Sequence, residues 1–406
     1  MKRIFRLSSH IFQTYISRLS FVFKLRMYVP IINKEARTII FLGYHLQPRI
    51  ARLISVINEK YDFQICLLCE KGRIPEIYLA DVFLSNIYIL EYRNKWEALH
   101  ILSNLNIHNA VIHSFEPRCT SIAFLHKRRK EFNSPKFVFD IQDLYVNYFG
   151  LKPKERWIKK DIKAERYCIE NLDGLICHSL EINPASRAYK ISPRKKIFFP
   201  LYCDKRNFHP VNISSPELPW KVVYAGNITG KKNYKSQQVG QFHDLAKILS
   251  DQGVEFHIYP SPNVSHETIV EYEELKKSIL NFHLHKSVNQ ALLSSELAKY
   301  HFAIIPFFLE DSSELPVKHK YATTLKLFNY FEAGIPVLVS EDLIFQTWIT
   351  QRYQLGLGIS KDFLKNFPDR IQSINYRSLI QQYDQNRNQL LLQDHIQRII
   401  NFYQEI

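Results

Sequence analysis

Acidic residues are missing altogether from the first 34 positions of this 406-residue chain, and other absences are as informative. Only six cysteines occur, too few for a disulfide scaffold at this length. No short apolar stretch near the start leads into an A-x-A-like cleavage site, so a reducing cytoplasmic compartment is expected. No uninterrupted apolar run approaches the roughly 18 to 20 residues that cross a bilayer, segments such as FAIIPFF (302–308) being far shorter. No D-x-D occurs, which speaks against transferases that hold a metal on a diphosphate through paired carboxylates. The phosphate loop G-x-x-x-x-G-K-[ST] is absent, and nothing like G-x-G-x-x-G follows the first strand-like run. No compact array of basic and aromatic residues marks a nucleic-acid module, and nucleic acid is not an expected partner.

What is present is a chain with 46% apolar and 23% charged residues, enough for a core in each of roughly two domains, which excludes a disordered or collagen-like protein. Lys and Arg total 54 against 39 Asp and Glu, a net charge of +15 that favours an anionic partner. The asymmetry is strongest in residues 1–36. On a helix, Ile4, Leu7, Ile11, Tyr15, Leu19 and Val22 share one side, and Lys2, Arg3, Arg6 and Lys24 lie largely opposite, with Arg18 breaking the stripe. This pattern suits the headgroup region of an anionic membrane and predicts peripheral attachment. A helix docked on the protein's own surface and an organelle transit peptide are the competing readings.

From Arg37 onward short β-like runs alternate with helical patterns: TIIFLG (38–43), FQICLLC (63–69), NIYILEY (86–92), AVIHSF (110–115) and KFVFDI (136–141). After the proline-punctuated stretch 209–220 a second series follows: WKVVYAG (220–226), VEFHIYP (254–260), HFAIIPFF (301–308) and IPVLVS (335–340). The rhythm predicts an α/β protein of two Rossmann-like domains, 37–210 and 211–385, each a parallel sheet covered by helices. Their carboxyl edges would face each other across a cleft that holds the site. The last thirty or so residues read as one long helical pattern without Gly or Pro, of which 386–406 is expected to form a terminal helix.

In TTLKLFNYFEAGIPVLVS (323–340) a Thr pair opens a helix, Gly334 ends it and Pro336 leads into a strand. Lys326, Asn329, Tyr330 and Ala333 share one face. The helix start, with Thr324 and Lys326, offers N–H groups and a positive charge to a phosphate, and Asn329 could meet a ribose hydroxyl; a solvated polar face is the plainer reading. VVYAGNITGKKNYK (222–235) places Gly226 and Asn227 at a strand end, followed by Lys231, Lys232 and Lys235 in a loop suited to a diphosphate. Cys66 and Cys69 form C-x-x-C within an apolar strand and read as buried cysteines. His283 and His285 share a face of a short strand-like run, but no third ligand is evident and no metal is assigned.

The run K-x-x-N-Y-x-x-A-G-x-P-V (326–337) resembles the donor-site helix of nucleotide-sugar glycosyltransferases with the GT-B fold, whose usual form has Glu where Asn329 stands. LLSSELAKYHFAIIPFF (292–308), KAERYCIENLDGLICHS (163–179) and KIFFPLYCDKRNFHP (196–210) resemble three further stretches of that family, in the same order. The resemblance implies a metal-independent, hexosyltransferase-like enzyme without a cofactor. Its donor would be a nucleoside-diphosphate sugar, bound by Gly226, Asn227, Lys231, Lys232, Thr324, Lys326, Asn329 and Glu310. Taken with the basic amino-terminal segment, the resemblance points to an acceptor that is a polysaccharide or a lipid-linked saccharide at the cytoplasmic membrane face, in polysaccharide biosynthesis. It also implies that the terminal helix crosses back to the first domain. The chain departs from the family where relatives place two glutamates eight positions apart, here Tyr321 and Asn329; Glu310 and Glu314 could enter the cleft instead. It departs again where relatives carry His before Asp, here Gln142 before Asp143. Asp143 is the preferred base, with His113 or His45 as the alternatives. A protein that keeps the fold and has lost turnover, and a sugar-nucleotide epimerase, are the rival readings.

Overall fold

The computed structural model describes residues 37–75, 87–105, 107, 109–115, 119–193, 195–212, 216–231, 240–309 and 317–406. The basic segment 1–36 lies outside them. Seven strands build the first sheet: β1 (Thr38–Gly43), β2 (Gln64–Glu70), β3 (Ile87–Tyr92), β4 (Ala110–Ser114), β5 (Lys136–Ile141), β6 (Gly174–Cys177) and β7 (Lys196–Phe198), in the order β3-β2-β1-β4-β5-β6-β7. Six build the second: β8 (Lys221–Gly226), β9 (Glu255–Pro260), β10 (Phe282–Leu284), β11 (Phe302–Ile305), β12 (Val337–Ser340) and β13 (Gly356–Ile359), in the order β10-β9-β8-β11-β12-β13. Neighbours pair in parallel in both sheets. Strands such as β1 and β12 are buried at every position, which explains why they read as continuous apolar runs without alternation. Strand order reverses beside β1 and beside β8, and an open parallel sheet leaves a crevice at such points, beyond the carboxyl ends of its strands.

Helices on these edges position the site. Pro48 opens α1 (Pro48–Lys60), where its missing N–H costs nothing. After β5 come α2 (Tyr145–Phe149) and α3 (Arg156–Asn171); between β11 and β12 come α4 (Lys318–Tyr321) and α5 (Leu325–Ala333). The last helix, α6 (Leu392–Glu405), returns to the first domain, where Gln397 accepts from the Tyr61 hydroxyl at 2.8 Å.

The carboxy-terminal region is not one long helix. It divides into a helix Tyr376–Asn386, a tight turn Arg387–Leu390 and α6. The division has a cause: Leu391 is extended and forms a parallel bridge with Cys203, whose N–H donates to Leu390 O and whose carbonyl accepts from Leu392 N–H, both at 2.8 Å. Tertiary pairing with the interdomain segment outweighs local helix propensity there. All six cysteines are buried and free of disulfides, and burial pushes the Cys66 thiol up to about 12, which fits the packing reading of the C-x-x-C pair.

Candidate functional site

The second-domain wall is built around Lys326. Thr324 occupies the N-cap of α5, yet its hydroxyl donates to Gln346 Oε1 at 3.3 Å, so the first-turn N–H groups have no side-chain cap. Lys326, in that first turn, sits over Gly226 at the end of β8. Gly226 adopts φ +148°, a conformation that favours glycine, and a Cβ there would stand 2.9 Å from Lys326 Cε and displace the lysine side chain. The Lys326 ammonium donates to the Tyr224 hydroxyl at 3.1 Å and lies 5.0 and 4.9 Å from the ring centres of Tyr224 and Phe307. Among the described residues no carboxylate pairs with it, and burial lowers its pKa to about 8. Tyr330, one turn on, is fully buried and its hydroxyl accepts from Ala225 N–H at 2.8 Å, which locks α5 against β8. Gly334 closes the helix at φ +80°.

The other expected donor residues are dispersed. Asn227 is exposed, and its carbonyl accepts from the Tyr224 hydroxyl at 2.8 Å. Asn329 is only 4% exposed on α5. Lys231 lines a surface cavity of about 460 Å³ together with Lys361 and Lys365; Lys326 is not part of that lining. The Lys231 ammonium lies 3.6 Å from Asp244, and the Lys231 backbone N–H donates to Glu271 at 2.6 Å. Lys232 and Glu310, like Lys235 and Glu314, lie outside the described residues.

The first-domain wall follows β5. Asp143 is 48% exposed and bridges the two domains through a 2.6 Å ion pair with Lys318 of α4. Burial opposes the Lys318 charge, but Asp143 and Glu181 prevail and raise its pKa. A second cross-domain bond runs from Leu180 N–H to the Tyr321 carbonyl at 3.1 Å. Beside Asp143 a cavity of about 180 Å³ is lined by Tyr145, Tyr148, Phe149, Trp157 and Lys318. Glu181 is buried beneath it, and burial, with the Asp143 charge adding to it, pushes its carboxyl up to about 8. Buried polar atoms without a hydrogen-bond partner among the described residues occur on both walls: Gln142 Nε2 and Glu181 Oε1 near Asp143, and Thr323 Oγ1 beside the start of α5. Such atoms are costly unless a ligand or water completes them.

His113 does not reach this cleft. Its ring is fully buried, with Nε2 3.0 Å from Asp140 and Nδ1 2.5 Å from the Tyr403 hydroxyl of α6. Asp140 is also paired with Arg49 of α1, and His178 Nδ1 lies 3.7 Å away. Burial opposes ionisation of Asp140, yet Arg49 and the two histidines hold its carboxyl well below the usual range. Burial in turn lowers the pKa of His113. The geometry therefore makes His113 part of an internal polar knot joining β4, β5, α1 and α6, not a base open to substrate. His45, after β1, is half-buried, and burial and the Arg73 charge lower its pKa. Tyr224, Phe307, Lys318 and Glu181 were not singled out from the sequence. None carries a local signal, since each gains its part only from pairings made across the fold.

No protein-family model matches the chain, and no curated protein matches it in sequence. Solved structures do match in fold. A glycosyltransferase from Rickettsia africae aligns at TM-score 0.62 and 10% identity over 92% of this chain and 99% of the other. HepE from Anabaena, solved with UDP and glucose, aligns at TM-score 0.62 and 8% identity over 92% and 100%. A UDP-GlcNAc 2-epimerase from Neisseria meningitidis, bound to UDP-GlcNAc, aligns at TM-score 0.52 and 9% identity over 91% and 100%. No described helix is long and apolar enough to cross a membrane. With two parallel α/β domains facing one cleft, and with full-length structural counterparts of this kind, the chain has the GT-B fold.

Proposed function

We propose that this protein is a glycosyltransferase that takes a sugar from a nucleoside-diphosphate donor held by the second domain and passes it to a hydroxyl acceptor held by the first. The observation that carries this reading is the Lys326 ammonium, packed over Gly226 at an uncapped helix start with no described carboxylate beside it. A departing diphosphate supplies the missing negative charge. The acceptor hydroxyl would give its proton to the Asp143 carboxylate as its oxygen attacks the anomeric carbon. The bond from that carbon to the diphosphate oxygen breaks, and the charge left on the diphosphate meets Lys326 and the first-turn N–H groups of α5. Lys231 and Lys232, which follow β8 in the sequence, would add positive charge on the donor side.

We place the acceptor at a membrane surface. The cavity beside Asp143 is lined by the exposed apolar side chains Phe149 at 37% and Trp157 at 53%, and the stretch that carries Trp157 also holds exposed Leu151, Lys152, Lys154, Arg156, Lys159 and Lys160. Aromatic and basic groups together suit an anionic lipid interface and a lipid-linked or surface saccharide. The basic segment 1–36 would add to that attachment.

The reading is tested by titrating a panel of nucleoside-diphosphate sugars against the melting temperature, then supplying the stabilising donor with lipid-linked saccharides in anionic vesicles. One donor should raise the melting temperature, since binding to the folded state alone stabilises it, and labelled sugar should move to an acceptor. Saturable binding with no product would favour the inactive relative, and release of an isomerised sugar nucleotide without acceptor would favour the epimerase.

Lys326 gives this test a pH signature. Its folded pKa of about 8 means that the ammonium is the main form at pH 7 and the minor form at pH 9. A diphosphate selects the ammonium, so donor affinity should fall roughly tenfold over that interval. Lys326→Met should weaken binding at pH 7 by about 1.5–3 kcal/mol and flatten the profile. Calorimetric titration at the two pH values reads both effects; a profile unchanged in the variant would separate Lys326 from the phosphates.

A further inference from the structure

A second cluster of side chains lies at the other end of the second sheet. Alternation along β9 turns Glu255, His257 and Tyr259 to one face. On the edge strand β10 His283 takes the same face, directly opposite His257 in register, and His285 follows just beyond the strand. The rings of His257 and His283 stack at 4.4 Å with 18° between their planes. Phe256 and Phe282 occupy the opposite, buried face, so a slip in register would carry these polar groups into the core. In the strand register Lys221 pairs with Glu255 at the amino end and Gly226 with Pro260 at the carboxyl end. Glu255 thus stands about five strand residues, roughly 17 Å, from the donor wall.

We propose that Glu255, His257 and His283 form a binding site for a divalent transition metal of the zinc class, distinct from the cleft. One ligand atom from each residue lies within 4.8 Å of the other two. Two ligands of a tetrahedral zinc ion stand roughly 3.3–3.5 Å apart, so closure asks the side chains of buried His257 and partly exposed Glu255 and His283 to draw together by up to about 1.5 Å. The donor set is two imidazoles and a carboxylate, which suits zinc better than the all-oxygen cations. Outer partners are in place to orient the central ring. His285 Nε2 lies 3.0 Å from His257 Nδ1, leaving His257 Nε2 toward Glu255 at 3.3 Å, and His285 itself stacks on Tyr259 and lies 3.4 Å from the Tyr300 hydroxyl. Binding through His257 Nε2 uses the tautomer in which His257 Nδ1 carries the proton and donates to His285 Nε2, which leaves the Nε2 lone pair for the cation. Lys221, 4.0 Å from Glu255, is the charge that a metal would displace. Such an ion would clip the edge strand β10 to β9 and leave the cleft chemistry untouched.

The test uses the untagged full-length chain, stripped with chelator and dialysed against Zn²⁺ or Co²⁺. One equivalent should be retained, the Co²⁺ form should show the absorption of low-coordinate nitrogen and oxygen ligation, and Zn²⁺ should raise the melting temperature. His283→Ala and Glu255→Gln, both at partly exposed positions, should each abolish that equivalent while melting as the stripped wild type does. His285→Ala should weaken binding by roughly 10- to 100-fold, and His266→Ala, an exposed control at the start of another helix, should change nothing. Absence of stoichiometric binding in the wild type, or binding that survives both His283→Ala and Glu255→Gln, would overturn the proposal. Sugar-nucleotide binding measured with and without metal should be the same, so the outcome is independent of the assigned donor.

Discussion

Replacing Asp143 by Ala is expected to lower sugar transfer by roughly 10²- to 10⁴-fold, the range for loss of a positioned general base, with donor affinity changed less than about twofold. Asp143 is the carboxylate that the first domain presents at the mouth of the aromatic cavity, and it is half in solvent, where an acceptor hydroxyl can reach it. The 2.6 Å ion pair with Lys318 gives Asp143 a second possible part, that of a latch between the domains. The two parts predict different variants. A base is lost with Asp143→Ala and largely kept with Lys318→Ala, since removing the lysine frees the carboxylate. A latch is lost equally with either. Single-turnover rates at saturating donor distinguish them, and equal losses in the two variants would assign Asp143 to closure. Glu181, beneath Asp143 with its carboxyl pushed up to about 8, is neutral over much of the working range, so it does not compete for the proton at pH 7.

The frame of the molecule was legible in the sequence because parallel strands buried on both faces must be apolar throughout. TIIFLG and KFVFDI coincide with β1 and β5. The strands that escaped notice as runs are the short ones. β7 has three residues, and β13 is the sequence GLGI, whose two glycines hide it from any strand preference. The start and stop of α5 could be read from Thr324 and Gly334, and Lys326 with them, because residue preferences at helix ends are local, although the Thr324 hydroxyl itself bonds to Gln346 and not to the first turn. His113 was ambiguous for a physical reason: a histidine near the end of an apolar strand serves equally as a base at the sheet edge or as a bonded core residue. Its partners Asp140 and Tyr403 lie 27 and 290 positions away. Asp140, a lone carboxylate inside an apolar strand, did carry a signal, since burial of that charge demands a cation; nothing local pointed to Arg49 as the one. His283 and His285 likewise showed half of a ligand set, and only the pairing of β10 with β9 brings Glu255 and His257 to them.

Arg52→Met should destabilise the protein by about 3–5 kcal/mol, the cost of leaving a buried carboxylate without its counter-charge. Arg52 lies on α1 of the first domain and grips Glu332 of α5 with two bonds, at 2.7 and 3.0 Å. Glu332 is fully buried, and it also accepts from Asp204 N–H at 2.8 Å and Asn207 Nδ2 at 3.3 Å. Burial raises its pKa against the pull of Arg52 and the Asp204 N–H, so the charged form depends on these partners. The sign with pH follows. Without Arg52 the folded pKa of Glu332 rises further, the penalty is full above it, and the penalty shrinks as acid protonates the group. Urea unfolding at pH 7 and pH 5 should show the gap between Arg52→Met and wild type narrowing at the lower value. Glu332→Gln, which keeps an acceptor for Asp204 and Asn207, should cost less than Arg52→Met at pH 7. The double variant Arg52→Met/Glu332→Leu should recover much of the loss, because no unpaired charge remains. Glu332 stands on the same short helix as Lys326, so this ion pair also fixes the donor wall relative to the first domain. Turnover of Arg52→Met should therefore fall even at temperatures where it remains folded. A variant that is as stable as wild type at pH 7 would show that the junction is held by packing and not by this charge pair.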